Sequence, residues 1–163
     1  MKDGFYYIIK DEFFEKFSEK GSIFEYNKSE NRPIFCCIED RIHKGLYWAI
    51  PAGTVTPARL SRVQTFIDSD EKDIRHYYYH VGYTNQRAIF YISAAFPVTD
   101  KYVLREYMSN GSPLEMKRKA MKEEIQKKLF KILTYENRFP NKLEPHITDI
   151  KTELVKELES EGG

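Results

Sequence analysis

Residues 34–38 read Ile-Phe-Cys-Cys-Ile, and residues 46–50 read Leu-Tyr-Trp-Ala-Ile. Two apolar runs of strand length, separated by a turn-rich "DRIHKG", predict an antiparallel hairpin: a buried strand over Ile34–Glu39, a tip, and a return over Leu46–Ile50. Antiparallel pairing brings a chain back to the rim it left. Arg32, set before the first strand by Pro33, and "PAGT" (51–54), where the return strand is expected to end, therefore share one rim. A guanidinium fork, the backbone N–H groups around Gly53, and the hydroxyls of Thr54 and Thr56 would there make an anion site with the parts a phosphate needs. The same residues also read as a strand-end arginine paired with a carboxylate, beside threonines that cap a turn.

The rest of the chain supplies strands in a block and helices inserted or appended. "FYYII" reads as a first strand. "KDEFFEKFSEKG" follows as a helix with Phe13, Phe14 and Phe17 on one face and Gly21 as its stop. Thr56 as N-cap and Pro57 at the first helical position open a short helix with Leu60, Val63 and Ile67 inward. "RHYYYHVGY", "AIFYISAAFPV" and "KYVLREYM" read as three further strands. A long helix is expected to open at Ser112–Pro113 and run to about Tyr135, with Leu114, Met121, Ile125, Leu129 and Ile132 on its inner face. A last helix starting near His146 or Thr148 turns Ile150, Leu154 and Leu158 inward, and "ESEGG" is expected to fray. At 163 residues, the pattern is that of one antiparallel α+β domain. Its expected core is a small curled sheet or barrel with helices packed outside.

A net charge of +1 gives no global basic field, so any nucleic-acid partner must be met by clustering. Clustering is present: seven lysines and arginines lie between Lys117 and Lys131. Cys36 and Cys37 are sequence neighbours whose strand side chains point apart, which suits reduced buried thiols in a cytosolic protein rather than a disulfide or a zinc site. No leader pattern and no apolar run of membrane length is seen, so a soluble cytoplasmic protein is expected.

"NRPIFCCIE", a hairpin, then "YWAIPAGT" resembles the Arg-Pro-strand and strand-Pro-x-x-Thr signature of the MazF/PemK endoribonuclease toxins. Over most of its length the chain resembles the ToxN/CptN/AbiQ family of type III toxins, CptN in particular. The opening "FYYIIKDEFFEKF", the "HK" tip before "YWAIP", "QRAIFYISAAFPV" and a closing basic helix run in that family's order. The resemblance implies a MazF/PemK-like fold and a metal-free, sequence-specific endoribonuclease without cofactor. Such an enzyme cuts single-stranded RNA through its 2′-oxygen and leaves a 2′,3′-cyclic phosphate. The implied partners are cellular mRNA as substrate and a cognate antitoxin RNA, a pseudoknot cut from a tandem repeat array. Protein and RNA would close into rings of two with two, or three with three, with no membrane involved.

Carried onto this sequence, the hydroxyl after Pro-x-x falls on Thr54 and the cation before the strand on Arg32. The family has a lysine beside the strand where this chain has Arg32-Pro33. An arginine does not deprotonate in proteins, so Arg32 reads as a phosphate clamp and not as a base. Thr56, His43 and Lys44 complete the catalytic candidates. His43 and Lys44 stand at the far hairpin tip, His76 and His80 are expected on one face of a strand, and His146 and Lys142 are weaker candidates. For RNA binding the candidates are Gly53, the cations Arg59, Arg62, Lys117, Arg118 and Lys122, and the rings Tyr47, Trp48, Tyr77 and Tyr79 for stacking on unpaired bases. The rival expectation is a non-catalytic RNA- or protein-binding module on the same scaffold.

Overall fold

In a computed structural model of the chain, which describes residues 1–19, 34–143 and 145–162, the expected hairpin forms. β2 (Ile34–Glu39) pairs with β3 (Leu46–Thr54) from Ile34↔Ala52 to Glu39↔Tyr47. β3 is longer than the sequence suggests and runs through "PAGT" instead of ending there. Pro51 interrupts neither strand because it falls where β3 changes its outer neighbour. Leu46–Ala49 pair with β6 (Phe96–Thr99), and Ala52–Thr54 pair with β5 (Arg87–Tyr91). A proline, with no N–H to donate, suits that gap.

Around this strand the order is β4-β5-β3-β2-β1-β7, with β6 also on β3. β1 is Phe5–Ile9, β4 is Tyr79–Tyr83 and β7 is Val103–Glu106. All pairings are antiparallel. Of the two expected forms, a curled sheet or a barrel, the barrel is not formed, since β4 and β7 stand at opposite ends of the order and do not pair.

Several boundaries differ from the sequence reading. "RHYYYHVGY" does not form one strand: residues 74–77 make a 3-10 turn, with Asp73 accepting from the Arg75 N–H at its start, and β4 begins only at Tyr79. His76 and His80 therefore do not share a strand face. "AIFYISAAFPV" is split by a 3-10 turn at 92–94 into β5 and β6. Ser112–Pro113 do not open a helix. They form β9, paired with β8 (Met108–Ser109) across Asn110 and Gly111, both at positive φ. Asn-Gly in a two-residue loop is a strong hairpin signal, and here it prevails over the Ser-Pro helix-start pattern. The long helix, α3, begins at Lys119 and ends at Arg138. The last, α4, spans Ile147–Gly162 and stays helical through most of the "ESEGG" expected to fray.

The short helix α1 (Asp11–Lys16) docks through aromatic rings. Phe13 stacks on Phe96 at 5.1 Å and meets Tyr102 edge-on at 5.4 Å, while Phe14 meets Phe96 at 5.7 Å. Each such pair contributes about 0.5–1.5 kcal/mol beyond its area burial. α3 turns Ile125, Leu129 and Ile132 inward, and α4 turns Ile150 and Leu154 inward, as their spacing predicts. Burial pushes the Cys36 thiol up to about 12 and Cys37 well above its usual range, so both are inert free thiols. No helix among the described residues is long and apolar enough to cross a membrane.

Where α3 crosses β4, a Cβ on Gly82 would meet the Met121 sulfur at 2.6 Å and the His80 and Phe90 rings at 3.3 and 3.4 Å. Gly82→Ala should therefore cost roughly 1–2 kcal/mol through overpacking. The loss, read from the urea midpoint, should shrink in a Met121→Ala background. An equal loss in both backgrounds would locate the strain elsewhere.

Candidate functional site

The rim where β3 ends is built by the start of α2 (Pro57–Ile67) and by strands β4 and β5. Thr56 caps α2, its hydroxyl accepting from the Arg59 N–H at 3.2 Å, with Pro57 beginning the helix. That cap turns the first helical turn back over the strand end, and Arg59 Nη1 donates to the Thr54 carbonyl at 3.2 Å. Thr54 itself is exposed. One turn further along α2, Arg62 acts on Tyr79: burial raises that phenol's pKa, and the nearby guanidinium opposes the rise. Tyr79 stands 5.8 Å from Tyr91, edge to face, and 5.5 Å from Phe66. Gly53 lies beneath the Tyr91 ring, so close that a Cβ there would meet it at 3.1 Å. The glycine thus lets a tyrosine lie against the strand backbone.

Of the sequence candidates, Gly53, Thr54, Thr56, Arg59, Arg62 and Tyr79 converge on this rim. Arg32 lies outside the described residues, as does Gly21. Tyr47 and Trp48 do not present stacking faces. Both are buried, the Tyr47 hydroxyl donating to the Met1 carbonyl at 2.9 Å and Trp48 Nε1 to Asp40 Oδ1 at 2.9 Å. They sit on the inner stretch of β3, where the core takes every side chain. His43 and Lys44 are separated from Thr54 by the whole length of β3 and share no site with it. The His43 ring is a turn element, its Nδ1 at 3.2 Å from Asp40 Oδ2.

The basic cluster is largely committed to the fold. Lys122 pairs with Asp3 at 2.7 Å, and Arg118 lies over the Tyr83 ring at 4.9 Å, just ahead of the helix expected to carry it. Lys117 is exposed in the preceding loop. Tyr77 is half-buried on the 3-10 turn. Its hydroxyl donates to the Glu71 carbonyl at 2.9 Å, and Lys131 Nζ stands 5.6 Å from its ring centroid. Lys142 is exposed beyond α3, and His146 immediately precedes α4.

A pair the sequence reading passed over lies behind the rim. Lys128 Nζ donates to the Tyr79 carbonyl at 3.0 Å and stands 3.1 Å from His80 Nδ1. Burial, then the Lys128 charge, lowers the His80 pKa from 6.5 to about 4, and burial also lowers Lys128. The ring is therefore neutral at pH 7, and an acceptor Nδ1 leaves its proton on Nε2. Lys128 falls in α3's apolar row, three residues after Ile125 and four before Ile132. That spacing was the available signal of an inward lysine. His80 pairs with Phe90, which pairs with Ala52, so it lies two strand spacings, about 10 Å, from the end of β3.

Chemically, the rim offers two guanidinium groups, an exposed hydroxyl and two tyrosine rings, a set suited to a phosphodiester and its flanking base. The chain matches no protein-family model, and no curated protein matches it.

Because the folded-state pKa of His80 is depressed, its neutral ring supports the fold fully above pH 6.5. That support is lost as pH falls from 6.5 to about 4. Urea unfolding across this window should show stability falling with acid, with a shallower slope in His80→Gln. Lys128→Met should raise the His80 pKa partway towards 6.5, read from its ring proton shifts in NMR.

Proposed function

We propose that this chain is an endoribonuclease toxin of the ToxN/CptN/AbiQ kind on a MazF/PemK-like scaffold, acting in the cytoplasm. It cuts single-stranded RNA by attack of the 2′-oxygen and is held inactive by its own antitoxin RNA. The observation that carries this reading is the β3 rim: Thr54 exposed at the strand end, with Arg59 and Arg62 delivered to it by a helix that Thr56 caps. Transesterification at phosphorus requires stabilisation of the phosphorane charge and in-line placement of the attacking oxygen. Guanidinium groups serve the first need. Contacts to the neighbouring nucleotide, for which Tyr79 and Tyr91 are suited, serve the second.

Arg32 joins the clamp in this reading on the strength of the sequence resemblance. In sequence the Arg-Pro immediately precedes β2, whose Ile34 lies opposite Ala52, two residues before the Thr that closes β3. The antitoxin is an RNA whose repeats are cut by the toxin itself, and the assembly is a closed protein–RNA ring.

One observation favours the rival, a non-catalytic RNA-binding module: His43 and Lys44 lie a full strand away from Thr54. Measurement separates the two. Thr54→Ala should lower the single-turnover cleavage rate by about two to three orders of magnitude, as loss of one oxyanion donor does, while RNA affinity stays measurable. Arg59→Ala should act in the same direction, and Arg32→Ala and Thr54→Ala should each relieve toxicity in a bacterial host. A wild type that binds RNA but neither cuts it nor harms cells establishes the binding module instead.

Cleavage should persist in excess EDTA and leave 2′,3′-cyclic phosphate ends, detected by their resistance to phosphatase until acid opens the ring. A strict requirement for magnesium would overturn this mechanism.

A further inference from the structure

At the opposite end of β3 from the rim, a cavity of about 560 Å³ lies between the β2–β3 hairpin tip and helices α3 and α4. Its size is that of a site for one small organic group. Ile38, Leu129, Leu133 and Ile147 make its walls apolar, and the indole of Trp48 contributes to the lining. Phe130 and Ile42 also line it and are 57% and 82% exposed, which leaves two large apolar side chains uncovered.

Beside Glu39 and Arg41 of the hairpin, two sets of polar groups stand around it. The first is committed to the fold. Asp40 accepts from Trp48 Nε1 and from the Ile42 and His43 N–H groups, and Asp3 is paired with Lys122. Burial works upward on the Asp40 carboxyl, but those hydrogen bonds outweigh it and hold its pKa below the usual carboxylate range. The second set is uncommitted: among the described residues, the side-chain amides of Gln126 and Asn137 have no hydrogen-bond partner, although both line the cavity. Lys151 Nζ stands 6.0 Å from the Trp48 ring centroid. Glu136 lines the cavity as well and is 3% exposed. Its Oε2 is engaged by Thr148 and the Asn141 N–H, but Oε1 has no partner.

An apolar slot with amides that both donate and accept fits a flat heterocycle with a mixed polar edge. A purely aliphatic guest would leave the amides unmatched, and a bare anion would waste the apolar walls. We propose that this cavity binds a nucleobase, held edge-on by Gln126 and Asn137 between the aliphatic side chains of α3 and β2. If the chain is the RNA-directed enzyme argued above, the nucleobase is one splayed out of a bound RNA strand, a second anchor a full strand length from the cleavage rim. The inference rests on that reading only for its source, since a free nucleotide presents the same chemistry.

Trp48 is the sole tryptophan of the chain and lines this cavity, so its fluorescence reports occupancy directly. The full chain is titrated with each of the four nucleoside 5′-monophosphates and with single-stranded hexanucleotides of each base. At least one base should quench Trp48 saturably, and Gln126→Ala combined with Asn137→Ala should weaken that binding about tenfold or more. These partly or fully exposed positions spare the core, and circular dichroism checks that the variant is folded. Hexanucleotides binding far more tightly than the matching mononucleotide identify an RNA strand as the source; equal affinities identify a free nucleotide.

No saturable quenching by any of the eight ligands overturns the proposal, as does quenching that the double variant leaves unchanged. Failure of the cleavage reading shows separately, as intact RNA with quenching preserved.

Discussion

β3 is the strand on which the architecture turns. Along one edge it holds β2 over six residue pairs, and along the other it holds β6 and then β5, with Pro51 at the change. Every other strand of the main sheet is joined to it by the ladder, directly or through a neighbouring strand. Because a one-residue slip would exchange the faces of the whole strand, the pairings on both sides fix each other's register. The same strand carries Trp48 and its neighbours at the buried end and Thr54 at the exposed end. The rim and the cavity thus stand at the two ends of one strand.

The rim depends on this arrangement in a second way. β5 lies beside Ala52–Thr54 and β6 beside Leu46–Ala49 on the same edge of β3, the chain leaving the ladder between them at the 3-10 turn of 92–94. β5 in turn positions β4, and so sets Tyr79 and Tyr91 side by side. The guanidinium groups come from outside the sheet, on a helix whose first turn is fixed by a threonine cap. Two independent pieces of local chemistry, a strand switch and a capped helix, therefore converge at one place.

The hairpin, α2 with its cap, and the inward faces of α3 and α4 were legible because each rests on short-range patterning. Alternating or helical apolar spacing survives whatever the rest of the fold does. The strand split at residues 92–94 was not legible, since "AIFYISAAFPV" is apolar throughout and the break is forced only by which neighbours β3 accepts. The 3-10 turn at 74–77 was hidden by tyrosines that score as strand formers but here pack on their edges. At the rim, the place of Thr54 followed from hairpin geometry, whereas Arg59 and Arg62 were legible only as cations of a short helix and not as neighbours of the strand end. The burial of Tyr47 and Trp48 was concealed by the common use of such rings in RNA recognition, although an inner position in a buried strand argued against exposure. Lys128 stood out only as one cation of the 117–131 cluster, although its place in the apolar row marks it as inward.

β1 lies between β2 and β7, and its bonds to the second come from residues near position 105. A growing chain must therefore carry this edge of β1 without its β7 partner until Val103–Glu106 have been made. Pairings of such sequence separation close slowly, because the loop entropy is lost before the contact rewards it. During that interval the exposed edge is a template for any other extended segment. The order in which the ribosome delivers the strands therefore bears on how much of this protein folds alone and how much aggregates.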